Sequence, residues 1–338
     1  MIRLASPGHG GWAARVCWCC LLLPLASSAC GGTLDAGADE PRGPLPVDDR
    51  NPIVILNDGA DDNWQGEYAA LLANTGGPPL AGIVIDDSWN WPDLDENLAG
   101  WQQLVAAARE GGLKNIPDPI ASEGPVLERP SDGDIESTVP NRSAGAQFII
   151  DAAERFSQPS RPLVIVTGGR LTDVADAYLM DPAIVDEVVV VSSLGTVRDD
   201  GAEMGVPNGN LDTWADIIVA QRFRYVQVSE FYYQKRDVPE ERLAELPTNA
   251  FASWIRSKQP DVWGDWVAAD QVAVLAVAIP EFVSSVERVV QEGEGPEGFA
   301  ALSSDPDGPA WLVTEIDETM AASRLWEMLL DPATLPEE

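Results

Sequence analysis

The chain repeats one pattern: a short, continuously apolar run rich in β-branched residues, followed by a stretch with helical periodicity. The runs are Ile53 to Leu56, Leu80 to Ile85, Leu163 to Val166, Val188 to Ser192, Tyr225 to Val228 and Trp311 to Thr314. A strand that alternates apolar and polar residues keeps one face in water, whereas a continuous run must be covered on both faces. Helical spacing recurs in Asn63 to Asn74, Asp95 to Glu110, Ala144 to Phe156, Leu171 to Leu179, Trp214 to Arg222, Asp270 to Ala278 and Ile316 to Leu330. In Asp95 to Glu110, Leu98, Trp101, Val105 and Ala108 share one face, and Gly111-Gly112 ends the helix. This alternation predicts an α/β fold, a single domain with a mostly parallel central sheet flanked by helices.

The N-terminus has a different character. Arg3 and Arg15 precede a short apolar segment, Val16 to Leu25, which is followed by the small residues Ala26 to Ala29. That is the form of an export signal over residues 1–29, too brief to span a bilayer. Cys30-Gly31-Gly32 resembles a bacterial lipobox, with Ser27 where leucine is usual. Lipid attachment at Cys30 in the bacterial cell envelope is one expectation, and a periplasmic or secreted protein is the other. Cys17, Cys19 and Cys20 lie within the signal, so the mature chain keeps only Cys30 and contains no internal disulfide. Residues 30–50, rich in Gly, Pro and Asp, read as a flexible tether, and residues 51–338 as the folded domain.

The formal net charge is -34. Such a surface repels nucleic-acid polymers and anionic lipid headgroups, so the expected partner is a small molecule and any membrane association runs through the N-terminal lipid alone. Composition leaves a homo-oligomer open.

Chemistry-bearing residues cluster where strands end. Asn57-Asp58-Gly59-Ala60-Asp61-Asp62 follows the first run, and Thr167-Gly168-Gly169-Arg170-Leu171-Thr172-Asp173 follows the third. Both lie at the carboxyl edge of the expected sheet, where open α/β folds bind ligands. Asp270 opens a late helical run. Each acid has a plainer explanation as well, because Asp and Asn cap helices and suit tight turns. Asp132 to Pro140 and Asp199 to Asn210 are the longest unpatterned stretches.

In their order and spacing these segments resemble the inosine-uridine type nucleoside hydrolases, from Pro52 to about Leu330. That family opens with Asp-Thr-Asp-Pro-Gly-x-Asp-Asp, continues through Thr-Gly-x-Leu-Thr-Asn and carries a His-Asp pair at a late helix. Leu80-Ala81-Gly82-Ile83-Val84, Asn97-Leu98-Ala99, Asn208-Gly209-Asn210 and Glu315 to Glu318 add supporting matches. The resemblance implies a Rossmann-related fold and hydrolysis of N-glycosidic bonds in ribonucleosides or related sugar derivatives. It further implies Ca2+ held by Asp58, Asp62, the Thr167 carbonyl and Asp270, with Asp58 taking the proton of the attacking water. Asp61 and Asn210 would hold ribose hydroxyls, and Asn208 stands where the family has a sugar-contacting glutamate.

The chain also departs from the family. Matching Asp58 and the Asp61-Asp62 pair leaves the opening loop one residue short and without its proline, whereas a gapless register pairs Asp62 and Asn63 with the closing acids. The only histidine is His9, and Ala269 replaces the late histidine that protonates the leaving base in several members. Either the base leaves without histidine, another acid supplies the proton, or no base leaves. Trp89, Trp91, Trp263 and Trp266 near the site loops are core packing or platforms for a sugar or nucleobase. Two functions therefore stand side by side: a calcium-dependent N-glycosyl hydrolase, and a lipid-anchored nucleoside- or sugar-binding protein without turnover.

Overall fold

A computed structural model of the chain describes residues 40–59, 74, 76–87, 93–193, 197–198, 212–228, 244–258, 270–294 and 300–330. Its strands are β1 (Ile53–Asn57), β2 (Leu80–Ile85), β3 (Pro119–Ala121), β4 (Leu163–Thr167), β5 (Val188–Ser192), β6 (Val197–Arg198), β7 (Arg224–Val228), β8 (Val283–Glu294), β9 (Ala300–Ser304) and β10 (Ala310–Ile316). The helices are α1 (Leu94–Glu110), α2 (Ala144–Phe156), α3 (Thr172–Met180), α4 (Thr213–Arg222), α5 (Ala250–Lys258), α6 (Gln271–Ala278) and α7 (Glu318–Leu330). None of the described helices is long and apolar enough to cross a membrane.

The strands form one ten-stranded sheet in the order β3-β2-β1-β4-β5-β7-β10-β8-β9-β6. From β3 to β10 every pairing is parallel, and β8 runs antiparallel to both β10 and β9. The mostly parallel sheet expected from the continuous apolar runs is therefore present. Alternation along each strand divides the core in two. Ile53, Ile55, Ile83, Ile85, Val164, Val166, Val189 and Val191 face α1, α5 and α6, while Val54, Leu56, Val84, Ile165, Val188 and Val190 face α2, α3 and α4. Burying each such side chain contributes about 1.5–3 kcal/mol, which is why these central strands present apolar residues to both layers. Helix α6 is buried along its whole length, which accounts for its apolar sequence without a polar stripe.

Sheet order places the site. Chain progression runs outward from β1 through β2 to β3 on one side and from β4 through β5 to β7 on the other. The order thus reverses between β1 and β4, and the carboxyl ends of those strands open a crevice at the switch point. Asn57-Asp58 and Thr167-Gly168 stand on its two sides.

Several expectations are adjusted. Ile316 ends β10 and the last helix starts at Glu318, while α3 begins one residue later than its apolar pattern suggested. Strands β3, β6, β8 and β9 and helix α5 escaped notice: β3 and β6 are only three and two residues long, and β8 is largely polar and lies near the sheet edge. Part of the stretch assigned to the tether is packed: Leu45 and Val47 are buried in the core. Asp48 holds this segment by accepting from the Arg42 and Arg50 backbone N–H groups at 3.0 Å each, and Asn51 Nδ2 donates to Pro162 O at 2.8 Å. The helix expected from Asn63 to Asn74, the Asp199 to Asn210 stretch and Trp89, Trp91, Trp263 and Trp266 lie outside the described residues, Asn74 excepted. Within Asp132 to Pro140 the chain makes a short 3-10 turn at Ile135–Ser137.

Candidate functional site

Asp270 precedes α6 but does not cap it, since its side chain makes no bond to the helix's own N–H groups. Instead its Oδ1 accepts from Ser193 Oγ at 2.6 Å and its Oδ2 from Asn57 Nδ2 at 3.3 Å. The plain helix-cap explanation of this acid therefore fails. Ser193 also reaches the Thr167 carbonyl, through its N–H at 3.1 Å and with its Oγ at 3.3 Å. Its single hydroxyl proton has the shorter path to Asp270. Thr167 Oγ1 in turn lies 2.8 Å from Ser192 Oγ, so the end of β4 is tied to the end of β5.

Glycine is required where these groups converge. A Cβ on Gly168 would lie 2.5 Å from the Asp270 carboxyl carbon and would collide with Asn57 Nδ2. One residue on, a Cβ at Gly169 would lie 2.6 Å from Asp86 Oδ1. The pair of glycines lets the β4 loop pass between two carboxylates.

Asp58 continues β1 and is buried. Its Oδ1 accepts from the Gly59 N–H at 2.7 Å, and its carbonyl accepts from Trp101 Nε1 at 3.2 Å, which anchors the loop on α1. Asp86 lies beside it at the end of β2, with its N–H bonded to Asn57 O at 3.0 Å. Burial pushes the Asp86 carboxyl well above the usual carboxylate range, and the neighbouring Asp58 charge pushes the same way against Arg170. Arg170 Nε is 3.8 Å from Asp86 Oδ2, and its guanidinium donates to the Gly124 carbonyl.

Behind this rim a second polar layer braces the loops. Asp173 Oδ1 accepts from Ser122 Oγ at 2.8 Å and Ser143 Oγ at 2.6 Å. Burial raises its pKa in spite of those bonds from Ser143 and Ser122 and the charge of Arg170. Asp212 caps α4 through Ala215 N at 3.0 Å and also accepts from Leu127 N at 2.9 Å and Thr172 Oγ1 at 2.7 Å. Thr172 and Asp173 of the Thr167 to Asp173 segment are therefore braces behind the rim.

Of the site residues expected from sequence, Thr167 and Asp270 are joined through Ser193, Asp270 is joined to Asn57, and Asp58 follows Asn57 at the carboxyl end of β1. Asp61, Asp62, Asn208, Asn210 and Cys30 lie outside the described residues. Among the described residues no group of three or more His, Cys, Asp or Glu is arranged to hold a metal ion. Asp86 and Ser193 were missed, and Asn57 and Arg170 stood within the two expected loops without a role of their own. Asp86 had a signal, because Asp86-Asp87 follows an apolar run just as Asp58 does.

No protein-family model matches the sequence, and no curated protein matches it. Solved structures do match in fold. The inosine-uridine preferring nucleoside hydrolase from Bacillus anthracis superposes with a TM-score of 0.62 at 14% identity, over 82% of this chain and 99% of that one. An inosine-guanosine nucleoside hydrolase gives 0.61 at 17% identity, over 82% and 98% of the two chains. The purine-preferring ribonucleoside hydrolase from Gardnerella vaginalis gives 0.57 at 17% identity, over 83% and 99%. The chain has a nucleoside hydrolase-like α/β fold, and at this identity the likeness concerns fold alone.

Proposed function

We propose that the protein is a calcium-dependent hydrolase of N-glycosidic bonds in ribonucleosides or related sugar derivatives, exported and anchored to the bacterial envelope by a lipid at Cys30. The observation that carries this reading is Asp270: it leaves its own helix uncapped and is held at the switch point by Ser193 and Asn57, beside the Thr167 carbonyl. The similar solved structures are named for nucleoside hydrolysis, which supports the same substrate class.

The donor set suits calcium, because the groups at the crevice are carboxylate and carbonyl oxygens, the ligands that ion prefers. Asp58, Asp62, the Thr167 carbonyl and Asp270 would hold it. Bound there, the ion would supply charge compensation and orientation for oxygen ligands. The chain's own residues do the rest. Asp58 takes a proton from the attacking water as the water oxygen bonds to the anomeric carbon and the C–N bond breaks, its electron pair leaving with the base. Positive charge develops on the sugar in that step, and the carboxylates of Asp58 and Asp270 favour it. Asp61, Asn208 and Asn210 would contact sugar hydroxyls. With Ala269 in place of histidine, the leaving base takes its proton from another acid or from water.

The test is ribose release from a nucleoside panel and nitrophenyl riboside, with and without a chelator. Release that stops on chelation supports the hydrolase. Metal-dependent binding heat without release supports the binding-protein alternative that the absent histidine favours. Mass spectrometry of the envelope-extracted protein tests the anchor, since Cys30→Ser should abolish a diacylglycerol mass increment.

A further inference from the structure

Asp86 and Arg170 share the crevice, yet the mechanism above uses neither. Both are more than nine-tenths buried, at 1% and 5% exposed, as deep as Asp270 at 2%. Neither carboxylate oxygen of Asp86 has a hydrogen-bond partner among the described residues, and neither does Arg170 Nε. The 3.8 Å between Nε and Oδ2 is ion-pair distance and too long for a hydrogen bond. Position is nonetheless closely fixed. The Asp86 N–H is bonded to Asn57 O, the carboxylate lies over Gly169 where a Cβ would come within 2.6 Å, and the guanidinium is tethered to the Gly124 carbonyl.

Buried carboxylates ordinarily complete their hydrogen bonds, because an unmet charged acceptor forfeits its hydration. Here the fold supplies no donor, although Ser122, Ser143 and Thr172 supply them generously to Asp173 and Asp212 a few residues away. The difference is location: Asp86 follows β2 next to Asp58, at the carboxyl rim where open α/β folds bind ligands.

We infer that Asp86 is a ligand-contacting residue whose carboxyl group hydrogen-bonds with hydroxyl or N–H groups of the bound sugar derivative, with Arg170 as the positioning residue that holds it. This rests on the riboside reading and adds a contact to it. Arg170 acts only through Asp86, so the two should be coupled in binding.

Calorimetric binding of adenosine and D-ribose to the full mature protein in calcium tests this, with Asp86→Asn, Arg170→Met and the double variant, each checked for folding by circular dichroism. Asp86→Asn should weaken binding at least tenfold. Arg170→Met should weaken it severalfold in the native background and less than twofold in the Asp86→Asn background. A merely structural Arg170 would instead weaken binding equally in both backgrounds. Asp86→Asn binding within twofold of the native protein overturns the inference alone. A native protein that binds neither probe overturns the riboside reading and this contact with it.

Discussion

The Asp270 carboxylate accepts a 2.6 Å hydrogen bond from the Ser193 hydroxyl, across the gap between the start of α6 and the end of β5. Ser193 also reaches the Thr167 carbonyl, so one side chain sets the spacing of two oxygen donors. Ser193→Ala should cost about 1.5–3 kcal/mol of stability, the range for a hydrogen bond to a charged group. Its larger effect should be on the cation. A tenfold loss of calcium affinity would lower the calcium-dependent stabilisation by about 1.4 kcal/mol at a saturating concentration. Thermal melting of the variant with and without calcium measures both effects.

Gly168 permits a closer approach than any side chain would allow. A methyl group there would press on the Asp270 carboxylate and the Asn57 amide, which are held by each other and by Ser193. Gly168→Ala should destabilise by about 1–3 kcal/mol, as overpacking does. Because the displaced group is a proposed ligand, calcium should raise the variant's Tm far less than it raises that of the native protein. An unchanged calcium shift would show that Asp270 is not part of the cation site.

Trp101 connects α1 to the opening loop through its indole N–H, which donates to the Asp58 carbonyl at 3.2 Å from a fully buried position. Trp101→Phe keeps most of the apolar contact and removes that donor. Stability should fall by about 2 kcal/mol, from lost volume and an unmet carbonyl together. Riboside turnover should fall further than unfolding explains, because Asp58 is the proposed base. Activity measured well below the variant's Tm separates the two.

The opening residues of the site were visible in sequence because they interrupt an otherwise uniform pattern: Asp58 and Thr167 end apolar runs, and Asp270 starts one. The sheet was legible for a related reason, since burial on both faces leaves strands with no polar positions to confuse the reading. Strands β8 and β9 were not, because a strand near the sheet edge can carry polar residues such as Glu287, Arg288 and Gln291, which break the apolar run. The roles of Ser193 and Arg170 were hidden for another reason. Their roles arise from pairing β4 with β5 and from the loop turning toward Gly124, which are tertiary facts without a local signature. Asp86 repeated the signal of Asp58, an acid after an apolar run, but the resemblance followed its strand only as far as Val84 and placed no site residue beyond it.

Asp173 offers a prediction in pH. Burial raises its carboxyl above the ordinary 3.8, and the two serine hydroxyls and Arg170 only partly offset this. The folded protein therefore keeps the Asp173 proton at pH values where the unfolded chain has already released it. The native state then binds more protons than the unfolded state, so this residue's contribution to stability falls as pH rises from about 3.8 through its folded value. Asp173→Asn should keep the acceptor for Ser122 and Ser143 and remove the titration. Its stability relative to the native protein should accordingly improve as pH rises, and the two should converge in acid. Urea unfolding at intervals from about pH 4 to about pH 7 measures this difference. A constant offset across that range would mean that Asp173 is ionised in the folded protein throughout, with its hydroxyl bonds outweighing its burial.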